Sequence, residues 1–149
     1  METLFRPEWN DQSMPPGMEE LYKSLRRLED FTTRCVTKTK EYIDKNPLQQ
    51  KSTDYFADVN GIDRKVLQKI FKLKYQVTIS QYQLQKRMEA AAALLYEDRM
   101  AYKTIASRCG YHNANNFSRA FKKVFKHSPK QFLVFISQQP LDSADIKKD

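Results

Sequence analysis

The stretch IASRCGYHNANNFSRAFKKVFKHSPKQF, residues 105–132, decides how the rest of the chain is read. Phe117, Phe121 and Phe125 recur at every fourth position, with Arg119, Lys122, Lys123 and Lys126 between them. At about 3.6 residues per turn the rings share one helix face and the cations the other, which describes an amphipathic helix with a basic outer surface. Upstream, Gly110 supplies the left-handed residue that ends a first helix, and His112 or Asn113 caps the basic one, Asn being the chemically better cap. Downstream, Ser128-Pro129-Lys130-Gln131 is a capping box with Pro at the first helical position, where a missing N–H costs nothing. The order is helix, tight turn, helix, then the start of another helix.

The same order occurs once more. FADVNGI (56–62) aligns with IASRCGY (105–111) at an offset of 49, and LQKIFKLKYQVTISQY (67–82) aligns with FSRAFKKVFKHSPKQF (117–132) at an offset of 50. Leu67 falls on Phe117, Lys69 on Arg119, Phe71-Lys72 on Phe121-Lys122, and Thr78 on Ser128. In the first copy Gly61 ends a helix, Asp63 caps the next over about 64–74, and Thr78-x-x-Gln81 opens a third. Ala57 and Ala106 each provide a small residue for close helix packing. Between the copies, residues 80–98 run without Gly or Pro, with Tyr82, Leu84, Met88, Ala91, Ala92 and Leu95 on one face, which predicts a long connecting helix. Phe117, Phe121, Phe125, Phe71, Tyr75, Leu67, Ile70 and Ile105 are the predicted core.

Composition narrows the function classes. The chain has 149 residues and a formal net charge of +8. Residues 61–130 hold fifteen Lys or Arg against four acids, net +11, whereas residues 1–20 carry net −4. Positive charge gathered on one half of the chain points to a polyanionic partner. A membrane-surface helix also sets Lys opposite Phe, but it has no use for a doubled pattern and a long spacer. Single-stranded nucleic acid needs exposed rings, and these rings lie on a buried stripe. No 18-residue apolar stretch or signal-peptide pattern occurs, so the expectation is a cytoplasmic protein without membrane contact. Cys35 and Cys109 stand 74 positions apart and form no disulfide framework. Cys109 and His112 make half of a metal-ligand pattern whose other half is missing, so no metal and no cofactor is expected. Neither a phosphate loop nor a nucleophile with a neighbouring base stands out, and the chain does not read as an enzyme.

These residues resemble the AraC/XylS-type DNA-binding domain, whose second helix-turn-helix follows I-A-x-x-x-G-F-x-x-x-S-x-F-S-R-x-F-K-K-x-F-G-x-S-P. The resemblance covers about residues 38–135, starting at KTKEYIDKNP. It implies an all-α, seven-helix fold made of two helix-turn-helix subdomains joined by a long central helix, here with an N-terminal helical extension. The first helix-turn-helix spans about 53–75, the linker helix about 79–97, the second helix-turn-helix about 102–125 and the last helix about 129–137. It further implies that the third and sixth helices enter adjacent major grooves of double-stranded DNA, with RNA polymerase as a further partner. The base-reading positions carried over are Arg64, Lys65, Gln68 and Lys69 in the first copy, and Ala114, Asn115, Asn116 and Arg119 in the second. Arg pairs well with guanine, Gln and Asn with adenine. Lys72, Lys74, Lys122, Lys123 and Lys126 are the phosphate candidates. Departures from the family pattern are Gln76 and Lys126 in place of Gly, Ile79 in place of Pro, and Ala114 where a polar reader is common. These leave open a second reading, a protein-interaction module derived from the same fold with only non-specific DNA affinity.

Residues 1–17 read as an irregular acidic arm able to fold back on the basic face, residues 18–37 as a helical extension, and residues 138–149 as a disordered tail. Leu21, Leu28, Cys35 and Tyr42 recur at seven, with Leu25, Thr32 and Thr39 between them, over a helix expected at 18–45. The two Thr disfavour a coiled coil, so packing on the domain and a monomer are expected, with residues 18–45 as the alternative route to a dimer. About 37 residues precede the matched region, too few for a sensor domain, so the chain resembles stand-alone members of the family.

Overall fold

The computed structural model describes residues 14–139. The sequence readings of an acidic arm and a disordered tail fall outside the described residues, apart from residues 14–17, which enter a turn closed by the Met18 N–H on Pro15 O, and Gln138 and Gln139, the first of which is the last residue of the final helix. Among the described residues there are seven helices and no strand: α1 (Glu19–Lys45), α2 (Thr53–Asn60), α3 (Arg64–Tyr75), α4 (Ile79–Glu97), α5 (Tyr102–Arg108), α6 (Ala114–Phe125) and α7 (Pro129–Gln138). They form two compact units. Unit 1 holds α1, α2, α3 and the first residues of α4; unit 2 holds the rest of α4, α5, α6, α7 and the segment 46–50.

Helix ends repeat between the units bond for bond. After α2 the Gly61 N–H donates to Asp58 O and the Ile62 N–H to Ala57 O; after α5 the Gly110 N–H donates to Ser107 O and the Tyr111 N–H to Ala106 O. Both are six-residue closures around a glycine with positive φ, 64° and 84° respectively. The ends of α3 and α6 match in another way: the N–H groups of Gln76 and Lys126 donate 2.8 Å bonds to Lys72 O and Lys122 O. Gln76 and Lys126 accept the left-handed backbone, at φ 63° and 64°, that the family gives to glycine. Each side chain partly compensates, Gln76 Nε2 donating to Leu73 O at 2.9 Å and Lys126 Nζ to Lys123 O at 3.2 Å.

Unit 1 is held by Cys35, Val36, Thr39 and Ile43 of α1 against Phe56 and Ala57 of α2 and Leu67, Ile70 and Phe71 of α3. Thr39, expected to be a weak seam position, is fully buried because its hydroxyl donates to Cys35 O within its own helix at 2.9 Å. Asn60 Nδ2 closes the turn onto Phe56 O at 2.8 Å. Packing of α1 on its own unit is confined to its second half. In the first half, Leu21 and Leu28 remain 50% and 47% exposed, so the packing on the domain expected of this helix is seen from Thr32 to Ile43 and not at those two positions.

Unit 2 is built around Phe117 and Phe121, both fully buried, with Met88, Ala91, Leu95, Ile105, Ala106 and Cys109. Phe125 and Phe132 are half-buried at its edge, their rings 4.6 and 5.4 Å from that of Phe121. The apolar face expected on α4 is buried from Met88 to Leu95, and Gln83 and Arg87 are buried with it. Arg87 Nη1 donates to Gln50 Oε1 at 2.6 Å, and its guanidinium lies 5.4 Å from the Tyr111 ring centre. Its Nε is a buried donor without a partner. Burial pushes the Cys109 thiol up to about 11, against the pull of the nearby Arg87 cation.

Candidate nucleic-acid interface

The outer face of α3 begins at its cap. Asp63 Oδ1 accepts the Val66 N–H at 3.1 Å and fixes where the first turn starts. From there, the buried Leu67, Ile70 and Phe71 leave Arg64, Lys65, Gln68, Lys69 and Lys72 on one exposed arc. These five do converge. Arg64 is partly engaged, its guanidinium 3.4 Å from the Asp54 carboxylate in a pair open to solvent. Among the described residues, Lys65, Lys69 and Lys72 have no ion-pair partner. Lys74 lies apart. It is half-buried on the α1 side, with Nζ donating to Thr37 Oγ1 at 3.2 Å and 5.5 Å from the Tyr75 ring centre, so it does not join this arc.

In unit 2, Asn113 Oδ1 accepts the Asn115 N–H at 2.7 Å and starts α6. Phe117 and Phe121 hold the helix to its core and leave Asn115, Asn116, Arg119, Lys122 and Lys123 exposed on the opposite arc. Lys126 is exposed just beyond the helix end. Ala114 sits at the first helical position, half-buried beside Tyr111, and offers only a methyl group. Cys109 and His112 do not converge as metal ligands: the thiol is in the core and the imidazole is exposed. No group of three or more His, Cys, Asp or Glu suited to a metal occurs among the described residues. Nor is any described helix long and apolar enough to cross a membrane.

Two features of this surface were not read from the sequence. Val66, 41% exposed, occupies on α3 the position that Asn116 holds on α6. Its apolar character hid it, although an apolar group on a recognition helix suits the thymine methyl. The second is a hollow of about 370 Å³ beside α3, bordered by Lys65, Lys69 and Lys72.

Two helix-turn-helix units, each presenting a basic second helix, define the DNA-binding class of transcription regulator fold. Residues 56–133, more than half of the chain, match the family model described as "Helix-turn-helix domain". The chain belongs to this family, and within it to the AraC type. It is 28% identical over 136 residues to the HTH-type transcriptional activator RhaR of Escherichia coli K12, covering 91% of this chain and 44% of that protein. The C-terminal domain of AraT, a response regulator of Geobacillus stearothermophilus, shares 26% identity at a TM-score of 0.63, with 73% of this chain and 89% of that one covered. An AraC-type regulator of Chromobacterium violaceum has the same fold at a TM-score of 0.65 and 24% identity, over 72% of this chain and 96% of that one. The chain spans less than half the length of the curated relatives it matches.

Proposed function

We propose that the chain is a sequence-specific double-stranded DNA-binding transcriptional regulator that places α3 and α6 in adjacent major-groove faces. The observation carrying this reading is that both helices, closed by the same backbone bonds, expose hydrogen-bonding side chains beside uncompensated cations. Arg119, Asn115 and Asn116 are the readers of unit 2; Arg64, Lys65, Gln68 and Lys69 are those of unit 1, with Val66 added as a methyl contact. Lys72, Lys122, Lys123 and Lys126 meet phosphates, and Lys74 is left out because Thr37 and Tyr75 hold it. Residues 38–135 are the DNA-binding part, and regulation implies a further contact with RNA polymerase in the cytoplasm.

The test is selection from a random duplex library at physiological salt, comparing the native chain with Arg119→Ala. Two short elements about one helical turn, ~34 Å, apart, with the variant losing preference at one, are expected. If no motif emerges and binding falls steeply with salt, the protein-interaction module becomes the better reading. The exposed Leu73 and Val66 on α3 would then be its contact residues.

A further inference from the structure

Each unit has a hollow at the same place in the repeat, where the basic helix meets the start of the following helix and the first residue of the preceding one. In unit 1 it measures about 370 Å³, with Lys65, Lys69 and Lys72 on one wall and Thr53, Thr78 and Ser80 opposite. In unit 2 it measures about 410 Å³. At the offsets of the repeat, Tyr102 stands for Thr53, Ser118 for Gln68, Ser128 for Thr78, Pro129 for Ile79 and Lys130 for Ser80, and Leu95 and Leu133 complete the wall. Lys122 and Arg119, the counterparts of Lys72 and Lys69, do not border it. The hollow therefore carries three lysines in unit 1 and a single one, Lys130, in unit 2.

The unit 1 lining contains no carboxylate, and its three lysines have no ion-pair partner among the described residues. Three neighbouring ammonium groups repel one another, and an anion seated among them relieves that repulsion while it accepts hydrogen bonds. Because the same lysines lie on the recognition arc of α3, an anion in the hollow sits directly beside whatever α3 enters. Resting on the DNA-binding reading above, we propose that the unit 1 hollow seats a backbone phosphodiester of the bound duplex, gripped by Lys69, Lys72 and the Ser80 hydroxyl. Its unit 2 counterpart seats none. Lys69 then positions rather than reads, unit 1 supplies grip, and unit 2 supplies most of the discrimination through Arg119, Asn115 and Asn116.

Ser80→Glu and Lys130→Glu separate this from general electrostatics. Both are exposed second residues of their helices, where an acid suits the helix N-terminus, so both variants should fold; thermal melts check this. At equal distance from the duplex, through-space repulsion alone makes Lys130→Glu the more damaging, since it changes the charge by two units and Ser80→Glu by one. The inference demands the reverse order. Measured by fluorescence anisotropy on the selected duplex, Ser80→Glu should weaken binding at least about tenfold at ~0.15 M salt, and Lys130→Glu no more than about threefold. Lys72→Gln should flatten the slope of log K against log salt by about 1. Equal or greater loss in Lys130→Glu overturns the phosphate site while leaving the DNA reading intact. Absence of duplex binding by the native chain removes both.

Discussion

Gln76 and Lys126 occupy a backbone conformation that costs an L-residue about 1–2 kcal/mol, and each recovers part of this by bonding its own helix end. Glycine at either position should raise stability by about 0.5–1 kcal/mol in thermal or urea melts. The two substitutions part company on DNA. Lys126→Gly removes an exposed cation beside α6, so its affinity should fall while its melting temperature rises; Gln76→Gly should leave affinity unchanged. Cys109 offers a second test at this scale. Its thiol is fully buried with its ionisation pushed up from 9.0 to about 11, so the neutral form is the one the fold retains. A group whose folded pKa is raised contributes its full stability below the unfolded value and loses it as pH climbs through the folded one. The stability advantage of the native chain over Cys109→Ser should therefore shrink by on the order of 1–3 kcal/mol between about pH 9 and 11. Urea melts of both proteins at pH 7, 9 and 10.5 measure it.

The elements differ in what holds them, and this decides which were legible in advance. Turns and caps were readable because Gly61, Gly110, Asp63, Asn113 and Ser128 act on backbone groups within a few residues. Core rings were readable from spacing: Phe117 and Phe121 bury fully, and Phe121→Ala should cost about 3–5 kcal/mol, whereas Phe125→Ala, at the half-exposed edge, should cost less. Chemical denaturation resolves that difference easily. Arg87 was not readable, since its partners Gln50 and Tyr111 lie far along the chain and a lone Arg in an Ala-rich helix looks like surface. The stripe on α1 was visible, but an uninterrupted heptad does not say where packing stops. The exposed arcs of α3 and α6 followed from the repeat, whereas Lys74, whose spacing matches the core side of α3, lies off that arc, and the exposed Val66 was passed over because it is apolar.

At the scale of the whole molecule, the positive charge is concentrated in the repeat while the ends are more acidic, so on the proposed reading the field that meets a duplex comes from a small set of exposed cations. With Lys69 moved from the readers to the phosphate site proposed in unit 1, those directed at phosphates are Lys69, Lys72, Lys122, Lys123 and Lys126. Each phosphate neutralised releases condensed counterions and adds about −0.9 to the slope of log K against log salt, so five contacts imply a slope of about −4 to −5. This slope is shared by specific and non-specific duplexes, because phosphates carry no sequence. The base-directed groups act on the difference between them. Titrations of a selected and a scrambled duplex over about 0.05–0.3 M salt should therefore give two nearly parallel lines, separated by a specificity ratio on the order of 10³ or more. Arg119→Ala should bring the lines together, whereas Lys123→Gln should flatten both equally and preserve their separation. Lines that coincide for the native chain would leave the basic arcs as backbone-binding surfaces and remove the argument for base reading by α6.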